Sequence, residues 1–304
     1  MKQQSFDPGL TNQFSGAIRR AINHDGTFNV HRKGTRLRDI NIYLTLIDTT
    51  WPRFLLAVLL GFLLINMIFA FTYMALGIEH LQGLEPEMGA FVNAFFFSIH
   101  TLTTVGYGNI FPRGLWTNMV SAIEAATGLM VFAIATGLLY GRFSRPSAKI
   151  LFSDHMVIAP YQDGTALQFR ITNARSNVVM DLDARMLLMT VEQADGQFKR
   201  NYIDLPLERQ RVYFFPLTWT VVHPIDSNSP LYGKTAQDLA GKAAEFLILL
   251  RGFDDTFSQV VHARYSYTHD EILWGAKFVP AFHVDPQGDL VLDVNRINDL
   301  KLVS

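Results

Sequence analysis

The sequence contains no cysteine and few charged residues. Of its 304 residues, 17% are Asp, Glu, Lys or Arg, and the formal net charge is −1. A chain without cysteine forms no disulfide and no thiolate metal site, which suits the reducing cytoplasm for any soluble part. A net charge near zero gives no sign of a nucleic-acid partner. Residues 1–16 are polar and lack an apolar run, so we expect no signal peptide.

The motifs of common enzyme and nucleotide sites are also missing. The sequence has no H-E-x-x-H, G-x-S-x-G or Walker motif and no G-x-G-x-x-G. His223 and Asp226 lie close together in the sequence, and we interpret them as the packed end of a strand. We therefore expect no enzyme and no cofactor, whereas a small-molecule sensor in the second half of the chain remains open.

Apolar residues make up 49% of the chain and are concentrated in its first half. Residues 54–78 carry no charge, and residues 115–140 form a second long apolar segment. Both are long enough to cross a bilayer as helices. Basic residues precede the first segment and follow the second, whereas the connection at residues 79–89 is acidic. By the positive-inside rule we expect a multi-pass protein of the cell (inner) membrane with both termini in the cytoplasm.

A short stretch between the two spans has an unusual composition. Residues 90–102 include Phe95-Phe96-Phe97 and are too short to cross a membrane, which predicts a re-entrant pore helix. Residues 103–108 follow with the sequence T-T-V-G-Y-G. T-V-G-Y-G is the known signature of potassium-channel selectivity filters. Its position after a short helix and between two spans is one where irregular backbone at membrane depth is tolerated.

The chemistry of this stretch suits a potassium ion that has lost its water. Backbone carbonyls can replace the water if successive C=O groups point the same way, and glycine permits this because it adopts φ > 0. The predicted K+ ligands are Thr104, Val105, Gly106 and Tyr107, with Gly108 completing the filter. We expect the side chains of Val105 and Tyr107 to pack behind the filter. One strand supplies too few ligands for a cage, so we predict a homotetramer around K+.

These features divide the chain into four parts: a cytoplasmic N-terminal segment (1–36), an interfacial slide helix (37–48), a transmembrane pore domain (51–145) and a cytoplasmic domain (146–304). In the second part, apolar residues fall at helical spacing beside a basic cluster. They are Leu37, Ile40, Tyr43, Leu44 and Ile47. This pattern predicts an amphipathic helix along the inner membrane surface, and a helix packed on the soluble domain is the alternative.

The last part consists of short alternating or apolar runs. The runs are residues 150–158, 166–172, 183–191, 212–220, 246–250 and 260–267. Turn signals lie between or after them at Asp163-Gly164, Asp195-Gly196 and Gln287-Gly288. This pattern predicts an all-β domain with the architecture of a sandwich.

With these motifs, the chain resembles the inward-rectifier potassium channels, and its brevity is similar to that of prokaryotic, KirBac-type members. The resemblance covers nearly everything from about residue 37 onward. Besides the filter it rests on W-P-R from Trp51, F-S-R-P from Phe143, L-F-S from Leu151, F-R-I-T-N-A-R from Phe169, H-P-I-D-S-N-S-P-L-Y from His223 and D-E-I-L-W-G from Asp270. It implies passive K+ conduction and an immunoglobulin-like sandwich whose tetramer extends the pore into the cytoplasm.

Two other classes of potassium protein fit less well. A four-repeat transporter carries four degenerate filters in one chain, whereas this chain has one intact filter. A voltage-gated channel needs an arginine-rich helix before the pore, and the sequence has none.

The second span is expected to line the pore. Gly128, Phe132, Thr136 and Tyr140 recur every four residues and lie near one helix face. Rings of Phe132 or Tyr140 could close the path by dewetting, and lipid-facing or core positions are the alternative. The resemblance places Tyr140 at the bundle-crossing gate and Gly128 at the hinge of the inner helix. Phe132 occupies a position where strongly rectifying relatives carry an acid, so we predict weak rectification.

Three further positions concern the filter and its surroundings. Many eukaryotic relatives brace the filter with an acid–base pair near His100 and Asn109, and neither member is evident here. We therefore expect another brace, formed through Tyr107 and His100. Glu124 is costly inside a span unless it is partnered or wet. We expect it to be packed behind the filter, with pore lining as the second interpretation.

Charged residues outside the spans have two expected roles. The resemblance assigns Asp181 to the wall of the cytoplasmic pore, whereas Arg251 stands where another acid is common. Basic side chains at the inner membrane boundary are expected to contact anionic lipid headgroups, at about 1 kcal/mol each. They are Arg53, Arg142, Arg145 and Lys149. A signal for orientation alone is the alternative, and the sign of a lipid effect stays open.

Overall fold

The computed structural model describes residues 8–10, 13–14, 20–31, 33–34, 41–144, 149–194 and 197–303. They form two compact units. The helical unit lies within residues 33–145, and the β unit combines residues from 1–32 and 146–304. The first strand of the chain, β1 (Gln13–Phe14), belongs to the β unit.

The described part of the helical unit contains four α-helices, a 3-10 helix (Ile78–His80) and one pair of short strands. The helices are α1 (Ile42–Asp48), α2 (Trp51–Leu76), α3 (Ala90–Leu102) and α4 (Leu115–Phe143), and the strands are β2 (Leu81–Gln82) and β3 (Phe111–Pro112). With 26 and 29 residues, α2 and α4 are long and apolar enough to cross a membrane. The two predicted spans and the short helix between them are confirmed.

The helix at the predicted slide-helix position begins later than the sequence pattern predicts. It begins at Ile42, because Asn41 is not helical and caps it instead: the Asn41 side chain accepts a hydrogen bond from the amide of Leu44 at 3.2 Å. A continuous helix over residues 37–48 is therefore wrong. Residues 35–40, which contain the expected start, lie outside the described residues.

The helices of this unit pack closely at several places. A small buried core joins α2 and α3 and consists of Ala70, Tyr73, Leu81, Ala94, Phe97 and Ile110. The C-terminal end of α3 also touches α4 at Gly128. A Cβ added to Gly128 would lie 1.9 Å from the carbonyl oxygen of Leu102, so only glycine fits this contact.

The β unit is a sandwich of two sheets. Its larger strands are β4 (Ile150–Phe152), β5 (Met156–Tyr161), β6 (Gly164–Asn173), β7 (Val179–Ala194), β8 (Gln197–Leu205), β9 (Arg211–Phe214), β10 (Thr218–Ile225), β11 (Glu245–Asp254), β12 (Gln259–Thr268) and β13 (Ile272–Trp274). The first sheet has the order β1-β8-β7-β11-β12, with β9 also paired to β7. The second has the order β10-β6-β5-β13, with β4 paired to β6.

Alternate residues on the two sheets form a shared core, as the period of two in a strand requires. The buried side chains include Phe169, Ile171, Met186, Leu188, Val221, Phe246, Ile248, Leu250 and Tyr267. The predicted sandwich is confirmed. Smaller elements complete the unit: α5 (Ala236–Gly241), β14 (Ala276–Phe278), β15 (Phe282–Val284), β16 (Leu290–Leu292) and β17 (Leu300–Leu302).

Two of the expected strands are interrupted. Residues 150–158 divide into β4 and β5 at a turn in which the Ser153 hydroxyl donates to the carbonyl of His155 at 2.9 Å. Residues 212–220 divide into β9 and β10 around Pro216, which has no amide to donate to a ladder. The turn at residues 163–164 joins β5 to β6, and the turn at residues 287–288 joins β15 to β16. The third, at residues 195–196, lies outside the described residues.

The described residues near the N-terminus pack on β11 and β12. The amide of Ala21 donates to both carboxylate oxygens of Glu245, at 2.8 and 3.0 Å. The hydroxyl of Ser266 donates to the carbonyl of Ile22 at 2.7 Å. Burial raises the pKa of Glu245, and the hydrogen bonds it accepts oppose that shift. Both ends of the chain therefore contribute to the β unit.

Candidate ion-selectivity site

The backbone of the T-V-G-Y-G stretch alternates in handedness. Thr104, Gly106 and Gly108 have φ of 58°, 54° and 79°, whereas Val105 and Tyr107 keep negative φ. Left- and right-handed residues in alternation turn successive peptide groups the same way, so the N–H groups point to one side and the C=O groups to the other. The predicted positive φ of the two glycines is confirmed. Thr104 was not predicted to share it, and a non-glycine residue in this region is uncommon and strained.

The inner end of this stretch is fastened to the last turn of α3. The amides of Val105 and Gly106 donate to the carbonyl of His100 at 3.0 and 3.2 Å. The amide of Thr104 donates to the carbonyl of Thr101 at 3.0 Å. The C-terminus of a helix carries partial negative charge, so the end of α3 favours a cation close to the filter.

A ring contact holds the middle of the stretch. The imidazole of His100 and the ring of Tyr107 lie 4.9 Å apart between centroids and are perpendicular. Such an edge-to-face contact is worth about 0.5–1.5 kcal/mol beyond area burial. The two residues expected to form the brace are therefore in contact, and the bracing of the filter stays a prediction.

Within the described part of one chain, the side chains of Val105 and Tyr107 are largely exposed. Val105 is 52% exposed and Tyr107 is 73% exposed. The prediction that both pack behind the filter stays a prediction, because it concerns the assembled pore.

The outer end of the filter is fastened by the β2–β3 pair. Leu81 pairs with Pro112, and the amide of Arg113 donates to the carbonyl of His80 at 2.7 Å. Next to this pair, a Cβ added to Gly83 would lie 1.8 Å from a backbone carbonyl oxygen in the filter loop. Sequence reasoning missed this closure, because the two-residue strands leave no periodic pattern and a lone glycine is a weak signal.

The predicted gate residues share an exposed face of α4. Phe132 and Tyr140 are 74% and 73% exposed, and the Thr136 hydroxyl donates to the carbonyl of Phe132 at 2.9 Å. Gly128 differs from them, because it is buried against the end of α3. The close approach gives a reason for this glycine that the sequence pattern did not provide.

Glu124 lies in a buried polar cluster inside the helical unit. The Tyr73 hydroxyl donates to Glu124 Oε2 at 2.5 Å, and the Ser98 hydroxyl is hydrogen-bonded to Glu124 Oε1. The Ser98 Oγ also lies 3.0 Å from Asn66 Oδ1. Glu124 is fully buried. The expectation of a packed position is confirmed, whereas the partners on α2 and α3 could not be found from sequence.

Arg142, predicted to bind lipid, is engaged within the helical unit. Its guanidinium donates to the carbonyls of Leu46, Ile47 and Thr49 at 2.5, 2.9 and 2.8 Å. It also lies 4.6 Å from the ring centroid of Trp51. These contacts satisfy carbonyls that the end of α1 leaves without helical partners.

The other predicted basic residues differ from Arg142. Arg53 and Lys149 are exposed, and Arg145 lies outside the described residues. Asp181, predicted for the cytoplasmic pore, is exposed and has a φ of 48° at an irregularity between β7 and β11. Such bulges re-aim side chains and often stand beside functional sites. Arg251 is exposed on the paired strand.

A metal-binding cluster is not part of this arrangement. In the portion of the chain that the structure describes, no group of three or more His, Asp or Glu side chains could hold a metal ion. The sequence interpretation assigns K+ to backbone carbonyls, which suit a weakly held permeant cation.

Two family models match the sequence. The model described as inward rectifier potassium channel C-terminal domain matches residues 150–304, and the model described as ion channel matches residues 58–145. The first corresponds to the β unit and the second to most of the helical unit.

Curated relatives match over both units. The inward rectifier potassium channel Kirbac3.1 of Paramagnetospirillum magnetotacticum is 38% identical, and the match covers 92% of this chain and 95% of that protein. The human ATP-sensitive inward rectifier potassium channel 11 is 28% identical over 83% of this chain and 69% of its own. The mouse G protein-activated inward rectifier potassium channel 2 is 26% identical over 93% and 72%.

Proposed function

The chain belongs to the inward rectifier potassium channel family, and we propose that four copies of it form a membrane pore in which residues 104–108 select K+. Members of this family are channels and not enzymes, so the function is K+ conduction. In the proposed arrangement, residues 51–145 form the pore domain and residues 146–304 form the cytoplasmic domain. Both termini lie in the cytoplasm and the spans cross the cell membrane.

One observation carries the proposal. The filter stretch alternates positive and negative φ over five residues, and its inner end is hydrogen-bonded to the C-terminus of α3. This backbone presents a row of carbonyl oxygens on one side, where Thr104, Val105, Gly106 and Tyr107 would supply the ligands.

The homotetramer follows from the number of ligands and from exposure. A K+ cage needs several rows of carbonyls, and each chain supplies one. Val105 and Tyr107 are largely uncovered in the single chain, although they are apolar and aromatic. Neighbouring copies would cover them and stabilise the filter by burial of this surface.

The gate is proposed on the exposed face of α4. Four copies of Tyr140 or Phe132 would form apolar rings that close the path when water leaves them. Because Phe132 carries no charge, it does not attract blocking cations electrostatically, and rectification at this position is weak. Asp181 would concentrate cations in the cytoplasmic part of the pore.

Lipid contact is proposed for Arg53 and Lys149. Both are exposed, and cations at the inner membrane boundary attract anionic headgroups. Arg142 is left out of the set because its guanidinium is bound to carbonyls within the chain. The exposed apolar residues of α1, Ile42, Tyr43 and Leu44, would lie at the membrane surface.

The test is rubidium uptake into liposomes that contain the purified protein, with barium as blocker. Rubidium and barium fit a potassium filter, whereas sodium does not. We expect barium-sensitive rubidium uptake that sodium does not share. A Tyr140→Ala variant should increase the uptake if the wild-type gate is closed.

A matched pair of variants ties the flux to the filter. Gly106→Ala places a Cβ on a residue with φ of 54°, and we expect it to abolish selective uptake. Gly61→Ala in α2 is the control, since a Cβ there has no atom within 4 Å. Selective, barium-sensitive uptake by Gly106→Ala equal to that of the control would overturn the assignment of the filter.

A further inference from the structure

The buried cluster around Glu124 joins three helices. Tyr73 and Asn66 lie on α2, Ser98 lies on α3 and Glu124 lies on α4. All four side chains are buried. Among the described residues, no Lys, Arg or His forms an ion pair with Glu124. A carboxylate would therefore be buried at membrane depth without a positive partner, which is very unfavourable.

The number of hydrogen atoms decides how the cluster is bonded. The Ser98 hydroxyl has one hydrogen but faces two acceptors, Glu124 Oε1 and Asn66 Oδ1. The orientation of the Asn66 amide is set by its Nδ2, which donates to the carbonyl of Phe62 at 2.7 Å. Turning this amide around would bring two oxygen acceptors together at that distance. With an ionised Glu124, one of the two acceptors facing Ser98 stays without a hydrogen.

A hydrogen on Glu124 Oε1 satisfies the whole cluster. The carboxyl then donates to Ser98 Oγ, and Ser98 donates to Asn66 Oδ1. The Tyr73 hydroxyl donates to Glu124 Oε2, so both carboxyl oxygens are bonded. Fully satisfied buried networks fix a unique packing, whereas partly satisfied ones are costly.

The position of Ser98 connects this cluster to the filter. Ser98 lies one turn before the end of α3, on the same helix as His100 and Thr101, whose carbonyls accept the amides of the filter. We propose that Glu124 is a protonated positioning residue, whose neutral carboxyl links α2, α3 and α4 and thereby sets the place of the filter. This inference rests on the proposed filter at residues 104–108.

Glutamine at this position tests the protonation state. In Glu124→Gln, the amide Nε2 donates to Ser98 and the amide oxygen accepts from Tyr73, which copies the neutral acid. We expect the ratio of rubidium to sodium uptake to stay within about twofold of wild type. Glu124→Leu retains the size but neither bond, and we expect it to lower that ratio at least about tenfold. Ser98→Ala, a smaller change on α3, should lower it as well.

Infrared spectroscopy measures the protonation state of Glu124 directly, independently of any effect of the substitutions on packing. The spectrum of the wild-type protein at neutral pH minus that of Glu124→Gln should contain the C=O band of a protonated carboxyl. Carboxylate bands in its place would overturn the inference. So would a Glu124→Gln variant that loses selectivity to the same degree as Glu124→Leu.

The uptake measurements and the infrared spectrum together distinguish a failure of this inference from a failure of the proposed function. If neither the wild type nor Tyr140→Ala conducts rubidium, the proposed filter fails, and the infrared band still reports on the proton of Glu124. If Glu124→Leu does not assemble, as judged by size-exclusion chromatography, Ser98→Ala and the spectrum carry the test. Unchanged selectivity in an assembled Ser98→Ala variant would contradict the role in positioning.

Discussion

Replacement of Gly128 by alanine distinguishes a packing role from a hinge. In the structure, the added Cβ would lie 1.9 Å from the carbonyl oxygen of Leu102 and 2.8 Å from its carbonyl carbon. Both atoms belong to backbone, so rotation of a side chain does not relieve the contact. The end of α3 and α4 would have to separate by roughly 1 Å, since close-packed atoms do not overlap further.

The expected cost follows from two opposing effects. Overpacking of this kind costs about 1–3 kcal/mol. Alanine is a better helix former than glycine by roughly 1 kcal/mol, which offsets part of that cost. The same substitution at Gly61 has the second effect without the first, because a Cβ there meets no atom within 4 Å. The free energies of unfolding of the two variants should therefore differ by about 1–3 kcal/mol, and Gly128→Ala should be the less stable variant.

The assay compares thermal unfolding and ion flux in the same preparations. Tryptophan fluorescence in detergent gives the apparent Tm, and rubidium and sodium uptake give selectivity. We expect Gly128→Ala to lower both the Tm and the selectivity, because the displaced end of α3 carries the anchors of the filter. A hinge alone predicts altered gating with an unchanged Tm and unchanged selectivity. A Gly128→Ala protein as stable and selective as Gly61→Ala would refute the close approach.

Three further predictions concern other parts of the chain. Arg142→Lys removes the guanidinium that binds three carbonyls, and we expect the free energy of unfolding to fall by about 1–3 kcal/mol. The measurement is a lower Tm than that of the control Arg53→Lys. Burial lowers the pKa of His223 below its usual value, so the folded β unit prefers the neutral ring. The contribution of this residue to stability is therefore complete above about pH 6.5, and it is lost as the pH falls below that value. Thermal unfolding between pH 5 and 8 should show this loss, and an equally steep loss in His223→Gln would contradict it. Arg53→Gln and Lys149→Gln should each weaken the affinity of the detergent-solubilised protein for added anionic lipid by about 1 kcal/mol, with no change for neutral lipid.

The sequence predicted correctly those helices whose own residues form a long or distinctive apolar segment. Two long apolar segments became α2 and α4, and residues 90–102 became α3 with the same bounds. Segments with a less regular pattern were either not predicted, as for β8, or predicted with the wrong start, as for α1. β8 contains Lys199 and Arg200 among its apolar residues, and the helix at residues 37–48 begins late because Asn41 caps it.

Contacts between distant residues were beyond a sequence argument. Glu124 was expected to be packed, but nothing near it in the sequence points to Tyr73, 51 residues away. The basic residue at position 142 was assigned to lipid by its place at the end of a span, whereas its side chain reaches carbonyls more than 90 residues earlier. The ring contact between His100 and Tyr107 was predictable, because both residues belong to one short stretch.

The bond between Ala21 and Glu245 has a consequence for the order of synthesis. The two residues are 224 positions apart, and both membrane spans lie between them. At typical elongation rates of 5–20 residues per second, Glu245 is made about 11–45 s after Ala21. While the spans enter the membrane, the N-terminal residues of the β unit therefore lack their hydrogen-bond partners on β11 and β12. A ribosome stalled before residue 245 would carry a chain whose pore segments are complete and whose Ala21 and Ile22, still without Glu245 and Ser266, are open to protease.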